Sequence, residues 1–131
     1  MTLAPGAQLG GRYQLADLIA AGGMGDVWRA TDTVLGRPVA VKVLRVPASQ
    51  EGEFAARFRD EARHAAGLTH PNIAAVYDYG EDDGTAYLVM ELVPGRPLSE
   101  LIAEGPMPQA QVRSILGQGA LALAAAHAAG V

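Results

Sequence analysis

Two features of this sequence could do chemistry with an anion. The first is the cluster Gly22-Gly23-Met24-Gly25. Where side chains are missing, backbone N–H groups can come close to phosphate oxygens. A cluster of this kind is equally the tip of a hairpin, so its flanks must decide. The second is Lys42, set in the apolar run Val39-Ala40-Val41-Lys42-Val43-Leu44. A lysine is seldom buried in such a strand without a partner, and an outward-facing lysine is the plain alternative. Period two places its side chain on the face of Ala40. Other chemistries have less to work with. His64, His70 and His127 are scattered, with no pair at helical spacing to suggest a metal site. The chain has no cysteine, which excludes disulfides, thiolate chemistry and cysteine-type zinc sites.

The elements that would position these residues can be read from periodicity. Residues 1–11 read as a loose Pro/Gly start. Residues 12–19 alternate roughly between polar and apolar, as a half-buried strand does. The glycines then interrupt any regular element, and residues 26–31 read as a second strand, so the pair forms an antiparallel hairpin with a glycine-rich tip. Gly36-Arg37-Pro38 is a turn signal before the third strand, residues 39–44. From 51 to 68 the period changes: Phe54, Phe58, Ala62, Ala65 and Leu68 recur every three or four residues, the mark of an amphipathic helix. Two further strands are expected at 73–79 and 85–92, joined by a turn over 80–84. A Pro/Gly linker at 94–97, a short helix at 98–104 and a long alanine-rich helix at 108–129 complete the chain.

The glycine cluster therefore lies between two strands. Dinucleotide-binding and Walker-type loops instead end on a helix N-terminus. The stretch Leu18-Ile19-Ala20-Ala21-Gly22-Gly23-Met24-Gly25-Asp26-Val27-Trp28 resembles the glycine-rich loop of protein kinases, in the form common among bacterial eukaryotic-type serine/threonine kinases. Val39-Ala40-Val41-Lys42 is similar to the third strand that carries that family's phosphate-binding lysine. Phe58-Arg59-Asp60-Glu61, His70-Pro71-Asn72-Ile73 and Tyr87-Leu88-Val89-Met90-Glu91-Leu92-Val93-Pro94-Gly95 match the family's helix, link and hinge in order. Ala20 stands where the family keeps its first loop glycine, a change expected to stiffen the loop.

The resemblance implies an α+β fold: a kinase N-lobe with a five-stranded antiparallel sheet and one regulatory helix over residues 12–93, followed at 94–131 by the first two helices of an incomplete C-lobe. It implies that ATP lies under Ile19, Val27 and Ala40, with Gly22, Gly23, Met24 and Gly25 over its phosphates and Ala20 beside them. Lys42 would hold the α- and β-phosphates and pair with Glu61, Met90 would be the gatekeeper, and the main chain of Glu91 and Val93 would read the adenine edge. Lys42 and Glu61 carry the catalytic role in this half. Ala65 and Val76 would form the upper end of an internal apolar column, and His70 and His127 are structural in the family. Mg2+ would have its ligands in the C-lobe, so no metal ligand is assigned to these residues.

The family's catalytic loop and its Asp-Phe-Gly segment match nothing in residues 1–131, so the chain is expected to be a fragment, inactive alone, of an enzyme that moves the ATP γ-phosphate to protein serine or threonine. A degenerate lobe serving regulation or dimerisation through N-lobe surfaces is the alternative, and an aminoglycoside-type phosphotransferase is a third. The 131 residues fit one domain. The net charge of −4 comes without a basic block, so nucleic acid is not an expected partner. No apolar stretch is long enough to span a bilayer, and a soluble, cytoplasmic chain is expected. The final helix is apolar around most of its circumference, with Val112, Ile115, Leu116, Leu121 and Leu123 among alanines, and such a helix needs burial on several sides.

Overall fold

The computed structural model describes residues 3–23, 25–45 and 51–131. Its elements run β1 (Gln8–Leu9), β2 (Tyr13–Ala21), β3 (Gly25–Asp32), β4 (Arg37–Leu44), α1 (Glu51–Ala66), β5 (Val76–Asp82), β6 (Thr85–Met90), α2 (Leu98–Ala103) and α3 (Gln109–Ala128). The strands form one antiparallel sheet in the order β1-β2-β3-β4-β6-β5. The fold class is the expected α+β arrangement, with six strands in place of five.

The additional strand corrects the expectation for residues 1–11. Gln8 and Leu9 pair with Gln14 and Tyr13, and Leu9 is fully buried. Leu9 enters the main core, and Leu3 and Ala7 pack against it. That core lies inside the curl of the sheet and contains Leu9, Tyr13, Leu15, Trp28, Ala30, Val39, Val41, Val43, Tyr87 and Val89. The curl brings the two edges of the sheet together. The Gly10 N–H donates to Asp82 Oδ2 at 2.7 Å, and the Tyr13 hydroxyl donates to Asp78 Oδ2 at 2.6 Å. Burial and the Asp78 carboxylate raise the Tyr13 phenol well above its usual range.

Residues 80–84 are not all turn. β5 continues to Asp82, and only Asp83 and Gly84 connect the strands, both at positive φ (49° and 76°), as a two-residue hairpin requires. Gly80 is a strand residue because the Tyr87 phenol lies over it, and a Cβ there would collide with the ring and its oxygen.

The other face of the sheet receives α1. Phe58 joins Leu44 and Ala86 in a second buried cluster, with Phe54, Tyr79 and Leu88 packed against it. β3 and β4 are joined by a turn built on Asp32, which is buried. Arg12 donates to both of its carboxylate oxygens at 2.8 Å, and the Val34 and Leu35 N–H groups donate to Oδ1. These donors hold the carboxyl far below the usual carboxylate range, the Arg12 hydrogen bonds contributing most. Neither α2 nor α3 contributes a buried residue. Among the described residues no helix is long and apolar enough to cross a membrane.

Candidate functional site

The register of three neighbouring strands places most of the expected site residues together. Ala20 pairs with Val27, Val27 with Lys42, and Lys42 with Leu88; one step along, Ala40 pairs with Met90. Directly paired residues share a face. Val27, Ala40, Lys42 and Met90 therefore lie on one surface, opposite to the Val39–Val41–Val43 face that fills the curl. Ala40 is buried, while Val27, Lys42 and Met90 are half-buried. Ile19 is exposed at a register shift between Leu18 and Ala20. Such a bulge re-aims side chains at a strand end.

The glycine turn closes on itself, the Gly22 N–H donating to the Gly25 carbonyl at 3.0 Å. Gly25 is buried at the base of the turn and pairs with Leu44. A Cβ on Gly25 would collide with the Val43 carbonyl oxygen, so this glycine is required by backbone contact. Gly22 and Gly23 are exposed. Met24 lies outside the described residues.

After β6 ends at Met90, the Glu91 N–H donates to the Ala75 carbonyl at 2.8 Å, which ties the following segment to the link after α1. The Glu91 carbonyl and the Val93 N–H and carbonyl enter none of the backbone hydrogen bonds found among the described residues. These free groups are what a flat heterocycle with a donor–acceptor edge would require. Asn72 Nδ2 donates to the Gln118 carbonyl at 3.1 Å, fastening α3 beside the same link.

Lys42 and Glu61 are not brought together: neither takes part in any ion pair within 4.0 Å among the described residues. Glu61 is exposed between the buried Phe58 and Ala62. By helical geometry it lies about 60° from Phe58, on the margin of the packed stripe. Ala65 and Val76, the expected apolar column, are both half-buried.

One residue of this region was not foreseen. Arg45, the first residue after β4, has its Nη2 within 2.7 Å of the Gly22 carbonyl and 3.1 Å of Asp26 Oδ1. A positive charge three residues beyond Lys42, just past the strand end, was the available signal.

The geometry is therefore a glycine turn at the end of a hairpin, a lysine on the adjoining strand and unpaired main chain beyond the next one. The protein kinase domain family model matches residues 13–131. The serine/threonine-protein kinase PknA of Mycobacterium tuberculosis is 52% identical over 132 residues, covering 96% of this chain and 31% of the relative. PrkC of Bacillus subtilis is 45% identical over 123 residues, covering 93% of this chain and 19% of the relative. Among solved structures, the kinase domain of M. tuberculosis PknI superposes with a TM-score of 0.84 at 32% identity, over 99% of this chain and 53% of that one. The chain thus spans a third or less of these curated relatives and about half of the solved kinase domain.

Proposed function

The chain belongs to the protein kinase domain family, and on that premise we propose that it is the nucleotide-holding half of a serine/threonine protein kinase. The single observation that carries this is the register that puts Lys42 opposite Val27, two residues from the Gly25 base of the glycine turn. A lysine on the strand next to a glycine turn supports this reading, because a polyphosphate requires a cation and close-approaching backbone. Residues 12–93 would form the N-lobe with its hinge, and 94–131 the beginning of the second lobe.

ATP fits the residues present. Ile19, Val27 and Ala40 supply an apolar roof, Glu91 and Val93 offer free main-chain groups to the adenine edge, and Met90 stands behind. Gly22, Gly23, Met24 and Gly25, with Ala20 beside them, cover the phosphates. Lys42 neutralises them, oriented by Glu61 when α1 turns inward. Pairing of that kind would make α1 a switch. Mg2+, which the family uses with ATP, has no ligands assigned among these residues; no group of three or more acidic or histidine side chains among the described residues is arranged to hold a metal ion.

Within a complete domain the activity is transfer of the ATP γ-phosphate to a protein hydroxyl. Residues 1–131 by themselves are proposed to bind ATP and transfer nothing, because kinase catalysis also needs a base and magnesium ligands. Calorimetry with ATP and incubation with labelled ATP, magnesium and a basic protein test both statements together. Lys42→Met should weaken ATP by about tenfold or more, the worth of a charge-assisted hydrogen bond, and no labelled protein should appear. A chain that binds no ATP sinks the nucleotide site. Phosphate transfer abolished by Lys42→Met sinks the inactivity. The exposed apolar residues of α3 support a second reading, a lobe that docks on another kinase chain or pairs with its own copy.

A further inference from the structure

β4 and the residue after it carry two cations near the glycine turn. Lys42 pairs with Val27, and Arg45 reaches the turn itself. A single nitrogen, Arg45 Nη2, has the Gly22 carbonyl and Asp26 Oδ1 within hydrogen-bond distance, at 2.7 and 3.1 Å. These acceptors stand at the two ends of the turn, Gly22 opening it and Asp26 following Gly25 in β3. An –NH2 group has two hydrogens, so both bonds can form at once. Inside the turn, the Gly22 N–H is held by the Gly25 carbonyl, and Gly25 itself is packed against the Val43 carbonyl. Gly22 is thus fixed through both its N–H and its C=O, and the second of these depends on Arg45.

We propose that Arg45 is a positioning residue for the nucleotide, latching the neck of the glycine turn to the strand that carries Lys42. This rests on the nucleotide-binding reading above. An ion pair with side chains 62% and 29% exposed contributes little when it only joins two surface charges. Here the same nitrogen also holds a carbonyl of a glycine segment, whose backbone otherwise has the most freedom to lose when a ligand is gripped. A turn already held in place loses less entropy on meeting phosphates.

The test uses the full chain, with amide hydrogen exchange in the absence of nucleotide and calorimetry with ATP and with adenosine. In Arg45→Ala, exchange at Gly22, Gly23, Gly25 and Asp26 should quicken about five- to tenfold and the Kd for ATP should rise by a similar factor. Adenosine, which has no phosphates, should bind as before. Arg45→Lys should recover part of both effects, because an ammonium can still reach one acceptor. Arg57→Ala removes the same charge from the exposed pair with Glu53 on α1 and should change neither. Unchanged exchange in Arg45→Ala overturns the latch. Faster exchange with unchanged ATP affinity, or equal weakening of ATP and adenosine, overturns the positioning role and leaves the nucleotide site standing. An unaltered chain that binds no ATP removes the nucleotide site, and the positioning role with it.

Discussion

The sheet and the two terminal helices solve the problem of apolar surface in opposite ways. The buried hydrophobic residues run from Leu9 to Val89, and α2 and α3 contain none. The sheet curls until Gly10 and Tyr13 donate to the carboxylates of Asp82 and Asp78 on β5, so its strands enclose their own core and need no second layer on that face. α3 is just as apolar in composition, yet Leu116, Leu121 and Leu123 are 63%, 61% and 59% exposed. A helix cannot enclose itself; its apolar circumference is satisfied only by neighbours. The strands that build the proposed site therefore enclose a core of their own, while the leucines of α3 stay exposed.

The sharpest way to break this comparison is to make the same change on each side of it. Leu15→Ala in the closed core should cost about 2–5 kcal/mol, the range for a buried leucine. Leu121→Ala on α3 should stay within about 0.5 kcal/mol, as exposed positions do. Urea unfolding of the two variants measures both. A large loss from Leu121→Ala would mean that α3 is covered in solution, and the contrast would fail.

The same division governs what the sequence disclosed. The glycine turn, the strand that carries Lys42 and the strand end at Met90 were legible because each is written in local backbone: glycines, a strand, and a strand end. Their assembly followed from strand order. What stayed hidden depends on distant pairs. Gly80 looked like a turn residue because its requirement comes from Tyr87 on the next strand. β1 was invisible because two residues cannot show a period. Arg45 and Asp32 carry charges whose partners, Gly22, Asp26 and Arg12, are set by the fold and not by spacing. Periodicity put Glu61 on α1, but a pairing with Lys42 is a contact between distant elements, which no local pattern fixes.

Asp32 offers a test of medium size within the sheet. Its carboxylate form accepts from Arg12 and from two backbone N–H groups, and its pKa is lowered by them. A depressed folded-state pKa contributes stability that is complete above the unfolded value of about 3.9 and is lost as pH falls through the folded one. The stability difference between the unaltered chain and Asp32→Asn should therefore be constant from pH 7 to about 5 and close progressively below about 4. Urea midpoints across pH 2–7 would show it. A gap that does not narrow in acid would mean that the Arg12–Asp32 pair does not titrate with folding.

The smallest expected effect on stability belongs to α3, and there the sign matters more than the size. Leu116 and Leu123 are seven residues apart and share a stripe, while Leu121 lies nearly opposite them. Replacing Leu116 and Leu123 together by glutamate should shift stability by no more than about 0.5 kcal/mol per site, because neither side chain is packed. It should lower hydrophobic-dye binding and reduce self-association seen by light scattering, since a contiguous apolar patch would have become charged. Leu121→Glu alone should do less, as it leaves the stripe intact. If the unaltered chain is a stable dimer and only the double variant is a monomer, the stripe is an interface between copies and the docking reading gains over the fragment reading. If Leu121→Glu has the larger effect, the helix is covered on the opposite side, and the stripe is not the interface.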